Sequence, residues 1–384
     1  MPFGPFILQW RAPSPNPPLP TPLPEGLSRT YINTSSGPLE LLSAIPDPRV
    51  INKSLPLLFF AHGGFGCAEV WTFWMLYFSA RGYPCYAVSY RGHGKSWYPG
   101  YLSMLITGRG ALGADFVAGI REAERMERER RRVEEDVNVI LVAHSSGGSL
   151  AQYVLGQGLV KVWALCLAAS VPGFGSASVY KFWLPIVPFH APFRLFHPRY
   201  PLATPHMIKA AFFSSQMPIS EVRHFDRLLS PYESLLWPIQ MIPPVATGID
   251  ILRGITGWGW QTGKLSSSSA ASSENNFVGN RDVGDRPKSA QKSEFNEYLF
   301  ILAAERDVLC HPPILYSMMQ KYQGALADFV QEDSALPAKN GGGSSCGDGG
   351  VRFRIVPGVA HHLQNDVEWQ RGAQEILEWL RGLE

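Results

Sequence analysis

The stretch Ile140-Leu141-Val142-Ala143-His144-Ser145-Ser146-Gly147-Gly148-Ser149-Leu150 decides the fold of this 384-residue chain. Its apolar first half predicts a buried strand, and the small residues that follow predict a sharp turn into a helix. The pattern Ala143-x-Ser145-x-Gly147 is typical of a nucleophile elbow, with alanine at the usual first glycine. Small residues are needed there because the strained backbone passes close to its neighbours. The pentapeptide alone is equally compatible with an ordinary strand-to-helix turn.

The sequence around this stretch alternates between short apolar runs and amphipathic segments. After a hairpin over Arg29–Pro46, six runs predict strands that are buried on both faces: Leu55–Ala61, Pro84–Tyr90, Asn138–Ala143, Val160–Ala169, Tyr298–Ala304 and Val351–Val356. Helices are predicted between them, near residues 67–81, 111–135, 146–158, 312–325 and 366–382. This alternation indicates an α/β protein with a mostly parallel sheet flanked by helices.

Segments outside this alternation divide the chain. Residues 1–28 hold nine prolines and predict an extended arm, either disordered or draped on the surface. The predicted core comprises residues 29–171 and 297–384.

The predicted insertion lies between the fourth and fifth of these six strands. Residues 172–261, rich in aromatic residues and proline, predict short helices that form a lid, with a longer amphipathic piece over Ile219–Leu236. Residues 262–296 read as a low-complexity linker, and residues 340–350 as a second Gly/Ser loop.

A serine nucleophile needs a base and an orienting carboxylate, and both residue types follow predicted strands. Asp307 follows Tyr298–Ala304, and His361 follows Val351–Val356, so the chain order is Ser, Asp, His. Glu305 competes with Asp307 for the role of the acid. His362 is adjacent to His361 and is the weaker candidate for the base.

These motifs resemble the α/β-hydrolase superfamily, in its lidded esterase, lipase and lysophospholipase-like branch. The resemblance covers roughly residues 29–384 without the low-complexity inserts and includes His62-Gly63-Gly64-Phe65-Gly66 and Tyr90-Arg91-Gly92-His93-Gly94-Lys95-Ser96. It implies an oxyanion hole formed by the backbone N–H groups of Gly64 and Ser146, with Phe65 as an alternative to Gly64. The resemblance also selects Asp307 as the acid and His361 as the base. It implies structural roles for His62 and His144.

An aromatic lid over a serine predicts an apolar acyl pocket. Its expected lining residues lie next to the oxyanion loop and the start of the insertion: Trp71, Trp74, Pro172 and Phe174. Core packing is the alternative role for each of them.

Composition excludes several classes of function. The chain has 34 basic and 32 acidic residues, so it offers no broad charged surface for nucleic acid. Five scattered cysteines and ten scattered histidines predict neither a disulfide scaffold nor a metal site, and no cofactor is expected. Without a recognisable signal peptide or an apolar run of spanning length, we expect a cytoplasmic protein whose lid could contact a membrane peripherally.

The leading hypothesis is therefore a serine hydrolase that cleaves apolar or lipid-like carboxylic esters through an acyl-enzyme on Ser145. A serine at the elbow disfavours relatives that open epoxides or displace halide, because these use a carboxylate nucleophile. The alternatives are a thioesterase, transacylase or C–C bond hydrolase of the same fold, and a non-catalytic relative that binds a ligand. Fold alone cannot name the ester.

Overall fold

The computed structural model describes residues 12–47, 49, 55–183, 192, 197–259, 297–332 and 350–384. The linker predicted over 262–296 lies outside these residues, as does the Gly/Ser loop except for Gly350.

Eight strands form one sheet, and each predicted strand is present. They are β1 (Ser28–Thr34), β2 (Gly37–Ala44), β3 (Leu57–Ala61), β4 (Cys85–Val88), β5 (Val139–His144), β6 (Ala164–Ala168), β7 (Leu299–Ala304) and β8 (Val351–Val356). Every residue of β3 to β7 is buried, as expected for strands covered on both faces. The edge strand β8 instead carries Arg352 and Arg354, which suit an edge because charges there oppose pairing with another chain.

The order of the strands in the sheet is β1-β2-β4-β3-β5-β6-β7-β8. The hairpin β1–β2 pairs antiparallel with β4, and all the pairings from β4 to β8 are parallel. The carboxyl ends of β5, β7 and β8 therefore meet at one edge of the sheet, where side chains from distant parts of the sequence come together.

Ten α-helices are present in the described residues: α1 (Thr72–Ser79), α2 (Tyr101–Leu105), α3 (Arg109–Arg131), α4 (Ser146–Gly156), α5 (Pro205–Phe212), α6 (Ile219–Asp226), α7 (Leu236–Met241), α8 (Gly248–Arg253), α9 (Pro312–Glu332) and α10 (Trp369–Leu383). Helices α1 and α10 contact each other, while α3 packs on α4, and α8 contacts both α4 and α9. The sheet with these helices confirms the predicted α/β-hydrolase architecture. None of the helices in the described ranges combines the length and apolarity needed to cross a membrane.

The insertion between β6 and β7 contains α5 to α8, which we call the insertion helices. The prediction of one amphipathic piece over Ile219–Leu236 is wrong. Helix α6 ends at Asp226, and a nonhelical segment up to α7 brings Glu233 into the interior, where it is 5% exposed.

The proline-rich arm contacts the core over its described part. Ser14 pairs with Tyr98 through two backbone hydrogen bonds of 2.8 and 2.9 Å. The guanidinium of Arg29 donates to the carbonyl of Thr21, and Leu23 and Leu27 pack on the hydrophobic core. In the described residues 12–27, apolar and backbone contacts therefore join the arm to the surface of the core.

Candidate functional site

Ser145 lies on a strained turn between β5 and α4. Its backbone has φ 53° and ψ −129°, a conformation that residues other than glycine rarely adopt. Gly147 and Gly148 follow in the first turn of α4, and neighbouring atoms come too close to both for any larger residue. A Cβ at Gly147 would lie 2.2 Å from the carbonyl oxygen of His62, and one at Gly148 would lie 1.9 Å from Oγ of Ser170. The turn thus needs the small residues that the sequence places there.

The ends of β5, β7 and β8 bring Ser145, Asp307 and His361 together. The hydroxyl of Ser145 lies 2.8 Å from Nε2 of His361, and Nδ1 of His361 lies 2.8 Å from Oδ2 of Asp307. Because a carboxylate only accepts, Nδ1 carries the proton and Nε2 is left to accept from the serine. Backbone N–H groups of Leu309 and Cys310 donate to Oδ1 of Asp307, at 2.8 and 2.9 Å. This chain of hydrogen bonds can remove a proton from the serine.

The two competing residues lie elsewhere. The carboxylate of Glu305 accepts from the backbone N–H of Gly358 at 2.7 Å. The hydroxyl of Ser145 contacts His361 and not His362, whose Nδ1 accepts from the amide of Asn365 at 3.0 Å. Its ring packs on aromatic side chains of the insertion: Phe212, Phe213 and Phe225.

The predicted oxyanion donors lie beside Ser145 and have partners of their own. The N–H of Gly64 donates to Oγ of Ser146 at 2.7 Å, and the N–H of Phe65 donates to Oε2 of Glu233 at 2.8 Å. Ser146 is the first residue of α4, so its N–H belongs to the amides that a helix leaves unpaired, where the helix dipole favours negative charge. Gly64 and Ser146 can therefore hold an oxyanion once the Ser146 hydroxyl moves aside, whereas the amide of Phe65 is committed to Glu233.

Two further histidines support the loops of the site. His62 accepts the N–H of Tyr90 at Nε2, 3.3 Å away, so its Nδ1 donates to the carbonyl of Gly63 at 2.8 Å. His144 donates from Nε2 to the carbonyl of His361 at 2.8 Å. Burial lowers the pKa of both imidazoles well below the usual range, reinforced by His93 near His62 and by His361 near His144. Both rings are therefore neutral.

A cavity of about 460 Å³ opens over Ser145. Core loops contribute Gly64, Ser146 and His361 to its wall, and the insertion contributes most of the rest. Its surface is mainly apolar, with aromatic side chains that come from the insertion: Tyr180, Trp183, Tyr200, Phe212 and Trp237.

None of the four residues that the sequence analysis expected to line the acyl pocket belongs to the described wall of this cavity. Trp71 is fully buried beneath it, with its ring centroid 6.2 Å from that of His144, and Trp74 packs on Trp71. Pro172 and Phe174 line a separate surface cavity of about 260 Å³, where Phe174 packs on Tyr322. These expectations are corrected because nearness in sequence to the oxyanion loop or to the start of the insertion does not fix the direction of a side chain.

Sequence reasoning also missed three polar side chains near the site. His93 lies 2.9 Å from Oε2 of Glu233, and both residues are buried. The buried carboxylate of Asp366 accepts from the N–H of Ala360 at 2.9 Å, and from the N–H and hydroxyl of Ser214 in the insertion. Asp366 thus joins the insertion to the loop of His361. The only signal in the sequence was His93 within the quoted motif.

One cluster has the residue types of a metal site. Ligand atoms of Asp307, Cys310 and His361 all lie within 4.8 Å of one another. Burial raises the pKa of the Cys310 thiol well above the usual range, aided by Asp307, so the thiol stays protonated and is a poor ligand. The other two side chains bind each other. The donors therefore fit a proton relay better than a metal ion.

Comparisons with known proteins agree with this architecture. A family model described as "Alpha/beta hydrolase family" matches residues 58–342. Among curated proteins, none matches this chain.

Solved structures with the same fold include several hydrolases. A thermostable carboxyl esterase from Bacillus coagulans is 13% identical with a TM-score of 0.57, and the match covers 93% of this chain and 99% of that one. An esterase from Exiguobacterium antarcticum is 16% identical with a TM-score of 0.51, over 92% and 99%. A bacterial membrane phospholipase A is 15% identical with a TM-score of 0.54, over 93% and 87%. At these identities the likeness concerns the fold.

Proposed function

Because this chain belongs to the alpha/beta hydrolase family, we propose that it is a serine hydrolase that cleaves carboxylic esters of apolar or lipid-like acids through an acyl-enzyme on Ser145. The observation that carries the proposal is the pair of 2.8 Å contacts joining Ser145, His361 and Asp307 at the floor of an apolar cavity. A nucleophile, a base and a buried carboxylate in this order are what acyl transfer requires.

In the proposed reaction, Oγ of Ser145 attacks the ester carbonyl carbon while Nε2 of His361 takes its proton. The carbonyl oxygen becomes an oxyanion, which the N–H groups of Gly64 and Ser146 stabilise. Asp307 stabilises the imidazolium, which then gives its proton to the leaving alcohol as the C–O bond breaks. Water then attacks the acyl-enzyme while His361 takes its proton. The bond between the acyl carbon and Oγ of Ser145 breaks, and the imidazolium returns the proton to Oγ, which releases the acid and free Ser145.

The insertion acts as a lid in this proposal, because its aromatic side chains form most of the cavity wall. Exposed apolar residues lie on α2, directly after α2, and on α7, whose Trp237 and Pro238 line the cavity: Leu102 (74%), Ile106 (73%) and Ile239 (59%), respectively. The N–H of Leu235 donates to the carbonyl of Leu105, which joins the two segments. A large exposed apolar surface marks an interaction site. We therefore infer that the substrate is presented at a lipid surface, with peripheral contact through this face.

Ester chain-length profiling of wild type and matched variants tests the function. Ser145→Ala should lower kcat at least about 10⁴-fold and abolish fluorophosphonate labelling, and Asp307→Asn should lower kcat about 10⁴-fold. Ser149→Ala and Glu305→Gln are the controls. The first removes a buried hydroxyl that has no hydrogen-bond partner, and the second removes the competing acid, so both should stay within about two-fold of wild type.

Three outcomes would contradict parts of the proposal. A folded wild type that resists labelling would exclude a serine hydrolase. Faster turnover of thioesters or diketones than of oxyesters would move the enzyme to another reaction of the fold. The absence of a rate increase when a long-chain ester passes its solubility limit would exclude action at a lipid surface.

A further inference from the structure

The loop that carries the proposed oxyanion donor is held by the insertion. Phe65 has φ +61°, the left-handed region that a bulky side chain rarely adopts unless its surroundings enforce it. Both of its backbone polar groups bind the insertion. Its N–H donates to Oε2 of Glu233, and its carbonyl accepts from the N–H of Ser230, each at 2.8 Å. The strained conformation therefore depends on residues 230–233.

Glu233 is itself fixed from several directions. Its Oε1 accepts from the N–H of Ser234 at 2.8 Å, and its Oε2 also contacts Nε2 of His93 at 2.9 Å. The residue is only 5% exposed, so water does not replace these partners. A buried carboxylate of this kind needs a compensating charge.

His93 supplies that charge. Its Nδ1 lies 2.9 Å from the carbonyl of Arg91, and its Nε2 faces the carboxylate of Glu233. Both partners only accept, so both ring nitrogens must donate and the imidazole is protonated. Burial alone would lower the pKa of His93, but Glu233, the carbonyl of Arg91 and Asp115 together raise it. Burial would likewise raise the pKa of Glu233, but His93 and the N–H groups of Phe65 and Ser234 together lower it.

Other titratable groups also face His93. Asp115 favours its charge while forming an ion pair with Arg91 at 2.7 Å. The neutral ring of His62 lies 5.0 Å away, and that of Tyr90 lies 6.2 Å away. Of the carboxylates that face His93, only Glu233 accepts a hydrogen bond from the oxyanion loop, at the N–H of Phe65. Glu233 is therefore the partner that links the charge of His93 to this loop.

We propose that the His93–Glu233 ion pair is a positioning device that ties the insertion to the loop 63–66 and holds the N–H of Gly64 towards the oxyanion. The oxyanion hole is then complete only while residues 230–234 of the insertion are seated. This inference rests on the proposed function, because it gives the insertion a part in the acyl-transfer step.

The charge of His93 has a second effect. A Cβ built at Gly64 would lie 3.7 Å from Oε2 of Glu233, so the carboxylate is close to the site where negative charge develops. An unpaired carboxylate there would oppose the oxyanion. The imidazolium neutralises it, and Glu233 can hold the loop without weakening the hole.

The kinetic test is Glu233→Gln, which keeps the size of the side chain and removes its charge. We expect kcat to fall about 10- to 100-fold with KM within about two-fold, because the loss is confined to the transition state. The affinity of a trifluoromethyl ketone, which forms an oxyanion on Ser145, should fall by the same factor, whereas a planar amide inhibitor should bind unchanged.

The matched control is Glu127→Gln. Glu127 is also a buried, ion-paired carboxylate, bound to Arg130 and Arg131. Arg131 contacts the carbonyl of Leu55, just before β3, so this pair lies at the opposite edge of the sheet from Ser145. Glu127→Gln should lower stability without the kinetic effect. Equal kinetic losses in both variants, or an unchanged kcat in Glu233→Gln, would overturn the proposal.

Two measurements separate this inference from the proposed function, because neither needs turnover. Imidazole ¹⁵N shifts of the wild type should show both nitrogens of His93 protonated at pH 7. Amide exchange of Phe65 should accelerate at least about ten-fold in Glu233→Gln and stay unchanged in Glu127→Gln. A neutral His93, or equal exchange in both variants, would exclude the ion-pair device even in an active hydrolase. If the wild type instead shows the expected ¹⁵N shifts and amide exchange but cleaves no ester, only the proposed hydrolase function would be excluded.

Discussion

At the scale of single residues, the hydroxyl of Ser146 has an effect on the proposed reaction that its backbone role does not suggest. It accepts the N–H of Gly64, so a substrate carbonyl must displace it before entering the oxyanion hole. A net hydrogen bond of this kind is worth about 1 kcal/mol.

We therefore predict that Ser146→Ala raises kcat/KM several-fold, up to about five-fold, because the amide of Gly64 is free beforehand. Steady-state kinetics on a short-chain ester measures the effect, with Ser149→Ala as the control in the same helix. A ten-fold decrease would instead mean that the hydroxyl rotates and donates to the oxyanion.

The three residues of the proposed relay were accessible from sequence because each lies within five residues of the carboxyl end of a strand that the sequence predicts. Glu233 was not. It precedes a short helix in a segment whose local pattern predicts a longer helix, and only the fold reveals that it contacts Phe65 from 168 residues away. Trp71 could not be placed from sequence either, because its side chain is fully buried in the core and does not line the cavity.

At the scale of elements, the first turn of α4 depends on glycine, because it passes close to the loop that follows β3. Gly147→Ala would place a methyl group 2.2 Å from a backbone oxygen that cannot move independently. We expect it to lower the free energy of unfolding by about 3 kcal/mol and to abolish labelling of Ser145.

Gly324→Ala is the matched substitution at a helix position with free space around it. Nothing lies within 4 Å of a Cβ at Gly324 in α9, so alanine should stabilise the protein by up to about 1 kcal/mol. Urea unfolding of both variants measures the difference. Equal stability of the two would show that the turn relaxes around the methyl group.

Strands β3 to β7 were predictable here because burial on both faces gives uninterrupted apolar runs, which differ from amphipathic helices. Their bounds were less so. The run Val160–Ala169 is longer than β6 because Val162 leaves the sheet and forms an isolated bridge with Ile255 of the insertion. In the insertion, prolines and buried polar residues such as Glu233 interrupt the apolar periodicity. The ends of its helices could therefore not be located from the sequence pattern.

At the scale of the whole molecule, buried neutral histidines make stability depend on pH. Burial lowers the pKa of His62, His144 and His362 well below the usual range. In the unfolded chain these groups bind protons below about pH 6.5, so the unfolded state holds more protons and stability falls as the pH falls. His93, charged in both states at acid pH, adds nothing to this loss.

We predict that the free energy of unfolding declines below pH 6.5 with a slope that approaches about 4 kcal/mol per pH unit. Urea unfolding between pH 8 and pH 5 measures it. His362→Gln should reduce the slope by about a third, while His224→Gln, at an exposed position, should leave it unchanged. A midpoint at pH 5.5 equal to that at pH 8 would contradict the prediction.

The insertion is attached to the proposed oxyanion loop and to the loop of His361, so its order depends on whether a ligand occupies the cavity. Glu233 binds the oxyanion loop and Asp366 joins Ser214 to the histidine loop, so a ligand that fills the cavity stabilises the insertion and both loops together. By reciprocity, a change that loosens the insertion lowers the affinity for that ligand by the same factor. The dissociation constant of a cavity-filling inhibitor would therefore report how firmly the insertion is seated, in the absence of any turnover.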